Sequence, residues 1–293
     1  MSFTEKLDTK RFVITSEVQV SVETDPNVMI DGLKKIRGSI DGLIVSEVEI
    51  EGVACDSLSF CGTLRESGYD PMFETTTREK NRIELQNQLI KASETGIRNL
   101  LTFTRDYRLT GDGLNEMMFF HVDAGKLFSV LEHLKDGVDV KGKDLARPLD
   151  FAVGAGIDAS WGRKVPDLEL KEMEHMAGMG TKFFLTTPVF DLDEFHRFYD
   201  RVKHFGIPII AEVILIRSAG MGSLLNRYMR PNLVPQSLIQ RMAKAPDKEK
   251  ASIEIFTDLV KGLKEFCHGI HIVPFGAEDR VGSYLSAAKK KGI

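Results

Sequence analysis

Eight short runs rich in branched and aromatic residues recur along the 293 residues, most of them separated by stretches with helical periodicity. They cover residues 12–17, 41–47, 71–76, 99–104, 150–154, 181–186, 208–213 and 269–275. The intervening stretches include NRIELQNQLIKASETG and LDEFHRFYDRVKHFG, each closing on a glycine suited to a helix C-terminus. Strands that alternate with helices pair in parallel through right-handed crossovers. Eight such units predict an α/β fold, a single (β/α)8 TIM barrel spanning residues 1–293, with a doubly wound open sheet as the alternative. Two insertions, 107–125 and 217–245, exceed the minimal unit. Long loops after barrel strands lie on the face that carries function. No linker, low-complexity tract or charge block divides the chain, which predicts one domain.

Composition narrows the partners. A net charge of −4 gives no reason to expect nucleic acid or an anionic membrane. No run approaches the roughly 20 apolar residues of a membrane span, and the polar start MSFTEKLDTKRF has no apolar signal core. Cys55, Cys61 and Cys267 are odd in number and lack CxxC spacing, which suits a reducing compartment and small buried side chains. These features together predict a cytoplasmic protein.

In a barrel the informative positions are the C-terminal ends of the strands. Here they read Glu17, Ser46–Glu47, Thr75–Arg78, Thr104–Asp106, Gly154–Asp158, Thr186–Thr187, Glu212 and Phe275–Glu278. Carboxylates at these ends include Glu17, Glu47, Asp106, Asp158 and Glu212. Acidic residues often cap the helix that follows. Glu17 has no such task, because VQV follows it and the next cap signal is at Thr24–Asp25. Burial against the FVIT neighbours favours its protonated form, as a general acid requires. No HxH or HExxH spacing supports a histidine zinc site, and His268 and His271 flank the last strand. An all-carboxylate Mg²⁺ site from Glu17, Glu47 and Glu212 is a weaker alternative, and no metal is expected. The glycines of GAGIDASWG follow a strand but lack the spacing of a dinucleotide fingerprint.

The segment TTREKNR at 76–82, continuing into IELQNQLIKASETGIRNLLTFT, resembles the methylenetetrahydrofolate reductase family, in particular its branch from anaerobic one-carbon pathways. The resemblance continues in FAVGA at 151–155, TTPVFD at 186–191, IRSAGMG with the later VP, and GIHIVPFGAED, in the family's order along nearly the whole chain. It implies a flavoprotein barrel that holds FAD and interconverts methylenetetrahydrofolate and methyltetrahydrofolate by hydride transfer. Glu17 matches the family's glutamate that assists proton delivery as the folate ring opens, and Asp106 its aspartate beside flavin and pterin. Both are the expected catalytic residues, since a leaving nitrogen needs an acid and a forming cation needs a carboxylate. Thr76, Thr104 and Ala155 fall where the family lines its flavin pocket, with Arg105 expected to turn away from the ring. Glu17, Asp106, Thr187 and Glu212 are the expected folate contacts, with Glu17, Asp106 and Thr187 opening onto one face. A partner subunit or electron-donor protein, and self-association, are compatible with this branch.

The departures are specific. Val18–Gln19 stands where the family commonly has two prolines, and Arg105 where it has glycine. Thr187 replaces a glutamine and cannot make the same paired amide contact. Glu174 falls at a lysine that assists the FAD phosphates, where a carboxylate repels, although Arg163 and Lys164 can compensate. Glu74 and Glu212 replace a histidine or glutamine and a glycine. Two expectations therefore diverge: a flavin-dependent reductase, or a flavin-free folate-binding methyl-transfer protein or non-catalytic subunit.

Overall fold

The computed structural model describes residues 2–9, 12–21, 23–47, 56–76, 80–103 and 124–292, with Glu47, Thr76 and 124–126 described by their backbone alone. Its strands are β1 Val13–Val20, β2 Gly42–Glu47, β3 Pro71–Thr76, β4 Asn99–Phe103, β5 Ala152–Ile157, β6 Phe183–Pro188, β7 Ile209–Ile214 and β8 Gly269–Val273. All pair in parallel in sequence order, and β8 pairs with β1, closing the barrel. The open-sheet alternative is thereby excluded.

The helices around it are α1 Phe3–Asp8, α2 Pro26–Lys34, α3 Ser57–Glu66, α4 Arg82–Glu94, α5 Ala124–Lys135, α6 Asp167–Gly178, α7 Leu192–Val202, α8 Ala219–Tyr228, α9 Gln236–Lys244, α10 Lys248–Leu263 and α11 Val281–Lys290. Their starts follow local chemistry. Asn81 and Glu84 form a reciprocal cap on α4, and the Asp191 carboxylate accepts from the Glu194 amide at the start of α7. The segment after α7 ends at Gly206 with φ +68°, the left-handed conformation that its glycine permits. Residues 217–245, read as an insertion, form α8 and α9, which pack on α10 around Leu225, Val234 and Met242. Most of the 107–125 insertion lies outside the described residues.

Alternation sorts the strands into two cores. Outward residues such as Val18, Val45, Phe73, Ala155 and Phe184 pack against the helices. Inward residues Val13, Ile44, Met72, Leu101, Phe183, Leu185 and Ile210 fill the lower barrel, with Phe3 and Leu7 of α1 closing it from below. Phe3 meets Phe183 edge-on at 5.5 Å. β5 makes room for these rings with glycine: a Cβ on Gly154 would lie 2.0 Å from Phe183, and one on Gly156 2.2 Å from Phe103. Gly154 and Gly156 of GAGIDASWG therefore serve ring packing inside the barrel.

Four strands differ from expectation by two residues or more, β8 among them because it ends at Val273. β1 runs on to Val20, so Glu17 lies within the strand rather than at its end. Val18 and Val20 face the helices and continue the period-two pattern, which is why the strand does not stop. β5 and β6 are shifted toward the C-terminus, ending at Ile157 and Pro188.

Candidate active site

The inner face of β1 presents Thr15, Glu17 and Gln19, spaced by two residues. Glu17 is 2% exposed. Its Oε1 accepts from the Ser46 hydroxyl at 2.5 Å and from Gln19 Nε2 at 3.2 Å. Its Oε2 lies 3.8 Å from Nε2 of His271, and Thr15 Oγ1 lies 3.0 Å from the other ring nitrogen. His271 is buried in the middle of β8, a correction to the expectation that it flanks the strand. A polar residue held there must be hydrogen-bonded, and the Thr15 hydroxyl supplies one partner.

Two further carboxylates share this interior. Glu212 is the register partner of His271 and is buried, and Glu74 lies on the inner face of β3, half-buried. Glu212 sits within β7 rather than at its end. A bulge between β6 and β7 positions it: the register slips between Leu185 and Pro188, and the Glu212 amide donates to Thr186 Oγ1 at 3.2 Å. Above an apolar floor, the barrel thus gathers three carboxylates and one imidazole. Such a field stabilises a cationic centre. Among the described residues no group of three or more His, Cys, Asp or Glu side chains is arranged to hold a metal ion.

Thr187 ties two elements together. Its hydroxyl donates to Asp158 Oδ1 at 3.1 Å and accepts from the Ala159 amide at 3.1 Å. Asp158 also accepts from the Ser160 amide, so the pair staples the loop after β5 onto β6. Ala155 is fully buried with its methyl in the layer between barrel and helices. Arg163 and Lys164 are exposed in the turn after β5, and Glu174 is exposed on α6. Thr104, Arg105 and Asp106 lie outside the described residues, as does the side chain of Thr76.

The rim holds residues that the sequence reading did not single out. Arg217, just after β7, donates to the Phe275 carbonyl at 2.5 Å, and Arg230 donates to the Ser160 carbonyl at 3.0 Å. Among the described residues, the Nε of each is buried without a hydrogen-bond partner. An orphaned buried guanidinium nitrogen is costly. Phe275, whose carbonyl Arg217 contacts, has φ +49° and an exposed ring, an unfavourable backbone for a non-glycine residue. The sequence signals were present but faint: one histidine in an otherwise apolar strand, and two arginines in the insertion after the seventh strand. A separate cavity of about 1230 Å³ opens at the opposite, N-terminal end of the barrel, beside Arg98, Asn99, Asp150 and Lys182. It is remote from the Glu17 cluster, and active sites of this fold lie at the strand C-terminal ends.

Solved structures share the fold. An uncharacterized protein from Clostridium thermocellum that binds two copies of 5-methyl-5,6,7,8-tetrahydrofolic acid is 14% identical, with 99% of this chain and 98% of that one covered at a TM-score of 0.66. Tryptophan synthase subunit alpha from Legionella pneumophila is 10% identical, with 98% and 97% covered at 0.56. A phosphonopyruvate hydrolase complex with oxalate and Mg²⁺ is 10% identical, with 100% and 88% covered at 0.55. No curated protein matches the chain in sequence. No helix among the described residues is long and apolar enough to cross a membrane. The sequence profile of methylenetetrahydrofolate reductase matches residues 56–288, most of the chain, and the protein belongs to that family.

Proposed function

We propose that this protein binds a reduced folate at the C-terminal mouth of the barrel and interconverts 5,10-methylenetetrahydrofolate and 5-methyltetrahydrofolate, with FAD as cofactor. The observation that carries this reading is Glu17, a buried carboxyl oriented by Ser46 and Gln19 inside the barrel of a chain from this family. A reductase of this kind must protonate the nitrogen that leaves as the methylene bridge opens, and must hold the iminium that remains. Glu17 is the acid, and the carboxylates of Glu212 and Glu74 stabilise the cation. Asp106 is proposed to join them beside the pterin. The exposed ring of Phe275 suits stacking on the pterin, and Arg217 suits the folate's glutamate carboxylate.

The cationic rim fits the phosphates of the cofactor. Arg163 and Lys164 are exposed after β5, and the orphaned Nε of Arg230 lies in the segment tied to the Ser160 carbonyl. Thr76, the Ala155 backbone and Thr104–Asp106 would hold the ring. When bound, the flavin supplies the hydride.

One set of observations favours a second reading, a flavin-free folate-binding protein. The rings of Phe103 and Phe183 occupy the space beside the β5 glycines, and Arg105 replaces the glycine that permits close flavin approach. Two titrations separate the readings: FAD followed by its visible spectrum, and methyltetrahydrofolate followed by calorimetry. Uptake of both supports the reductase. Folate binding without flavin supports the second reading, and binding of neither removes both.

A further inference from the structure

Past the end of β7 the chain is held by side chains from two helices. The ladder reaches Leu215, whose amide donates to the Val273 carbonyl at 3.2 Å, and α8 starts at its Ser218 cap. The peptide between Ile216 and Arg217 lies in that gap. Its carbonyl accepts from the Ser252 hydroxyl of α10 at 2.5 Å, and Ser252 Oγ lies 2.7 Å from the Tyr284 hydroxyl of α11. A carbonyl only accepts and Ser252 has one hydrogen. With both bonds made, that hydrogen goes to Ile216 and Tyr284 donates to Ser252. Both side chains are buried. Tyr284 is fixed in turn by its ring, which meets Phe256, one turn along α10 from Ser252, edge-on at 5.4 Å.

A serine inside a helix usually bonds a carbonyl one turn back or faces water. Ser252 instead reaches across to another element, and the carbonyl it bonds belongs to the peptide that carries the Arg217 N–H. A peptide unit is planar, so a short bond to its oxygen fixes the axis from which Arg217 projects. Arg217 then donates to the Phe275 carbonyl at 2.5 Å. The line of bonds thus runs from α11 through α10 to the loops after β7 and β8, on the face where sites of this fold lie. Alanine and phenylalanine would fill nearly the same space as Ser252 and Tyr284, so what the two hydroxyls add is direction.

We propose that Ser252 and Tyr284 are positioning residues that aim Arg217 at the carboxylate end of the ligand. This role rests on the proposed pairing of Arg217 with the folate's glutamate carboxylate. Without the Ser252 hydroxyl the Ile216 carbonyl is buried and unsatisfied, and the peptide rotates to find another donor. The guanidinium then loses the fixed direction that a fork-shaped contact with a carboxylate requires. Tyr284 acts one bond further away: without its hydroxyl Ser252 can still donate to Ile216, but nothing holds the serine in that rotamer.

The test is a double-mutant cycle read by calorimetry with 5-methyltetrahydrofolate, well below the Tm of every variant. Ser252→Ala should weaken binding roughly 10-fold, the worth of one well-placed hydrogen bond. In the Arg217→Met background the same change should have no further effect, because the residue it aims is gone. An equal loss in both backgrounds, or wild-type affinity in folded Ser252→Ala, overturns the inference. If Ser252→Ala does not fold, Tyr284→Phe carries the same cycle with an expected loss of about threefold. A second readout needs no ligand: the ¹H–¹⁵N signal of the Arg217 Nε–H, identified as the one missing from Arg217→Met. In Ser252→Ala it should shift and exchange with water faster, and a signal unchanged in both respects overturns the inference. If the wild type binds no methyltetrahydrofolate, the folate reading fails on its own, and the Arg217 signal still decides whether Ser252 aims it.

Discussion

Replacing Gly154 by alanine tests the packing of the barrel interior below the site. The new Cβ would lie 2.0 Å from Cζ of Phe183, with Cε1 and Cε2 at 2.5 and 2.4 Å. Ordinary contact begins near 3.4 Å, so the ring must retreat by more than an ångström. It has little room, because Phe183 is 1% exposed and meets Phe3 edge-on. Overpacking of this kind costs about 1–3 kcal/mol, and the size of the overlap places Gly154→Ala near 3. Phe183→Leu alone leaves a void and costs about 1.5 kcal/mol. In the double variant the alanine methyl enters that void, so the total should stay near 1.5 kcal/mol, a coupling of about 3 kcal/mol. Urea unfolding with unchanged m-values measures all three, and each kilocalorie should move Tm by roughly 2–4 °C. Costs that simply add, to within about 0.5 kcal/mol, would refute the ring-against-glycine account of β5.

Other outcomes follow from the rim and the cysteines. Arg217→Met should weaken methyltetrahydrofolate binding roughly 10- to 100-fold, the effect growing at low salt, with the fold intact. Calorimetry that finds no change would take Arg217 out of the site. Cys61 and Cys267 are buried, and burial pushes the Cys267 thiol up, so thiolate forms only at more alkaline pH. A native Cys55→Ser variant should therefore resist iodoacetamide at neutral pH and become labelled in urea, as read by mass spectrometry. Rapid native labelling of Cys267 would contradict the packing of α10 against the barrel.

The barrel was legible because strand and helix periods alternate eight times, and Gly96 and Gly206 marked where helical segments end. The inward set was harder to read. Glu17 was identified from its lack of a capping task, yet its place within β1 required recognising Val18 and Val20 as outward residues that continue the strand. Thr187 was read by position matching alone, which does not reveal that its hydroxyl bonds Asp158 and the Ala159 amide. Ser46, His271, Arg217 and Arg230 acquire meaning only from neighbours distant in the chain, which one sequence does not reveal.

The central claim is that Glu17 is the acid of a folate reduction at the barrel mouth. Stopped-flow reoxidation of the reduced flavoprotein by methylenetetrahydrofolate tests it most directly. Glu17→Gln keeps the shape and can still pair with Ser46, so it should fold, bind folate and accept electrons from its donor. Its reoxidation by folate should slow by roughly 10²–10⁴-fold relative to wild type, the contribution of a positioned acid. Reoxidation at the wild-type rate in Glu17→Gln, or a wild-type flavin that folate leaves reduced, would contradict the account.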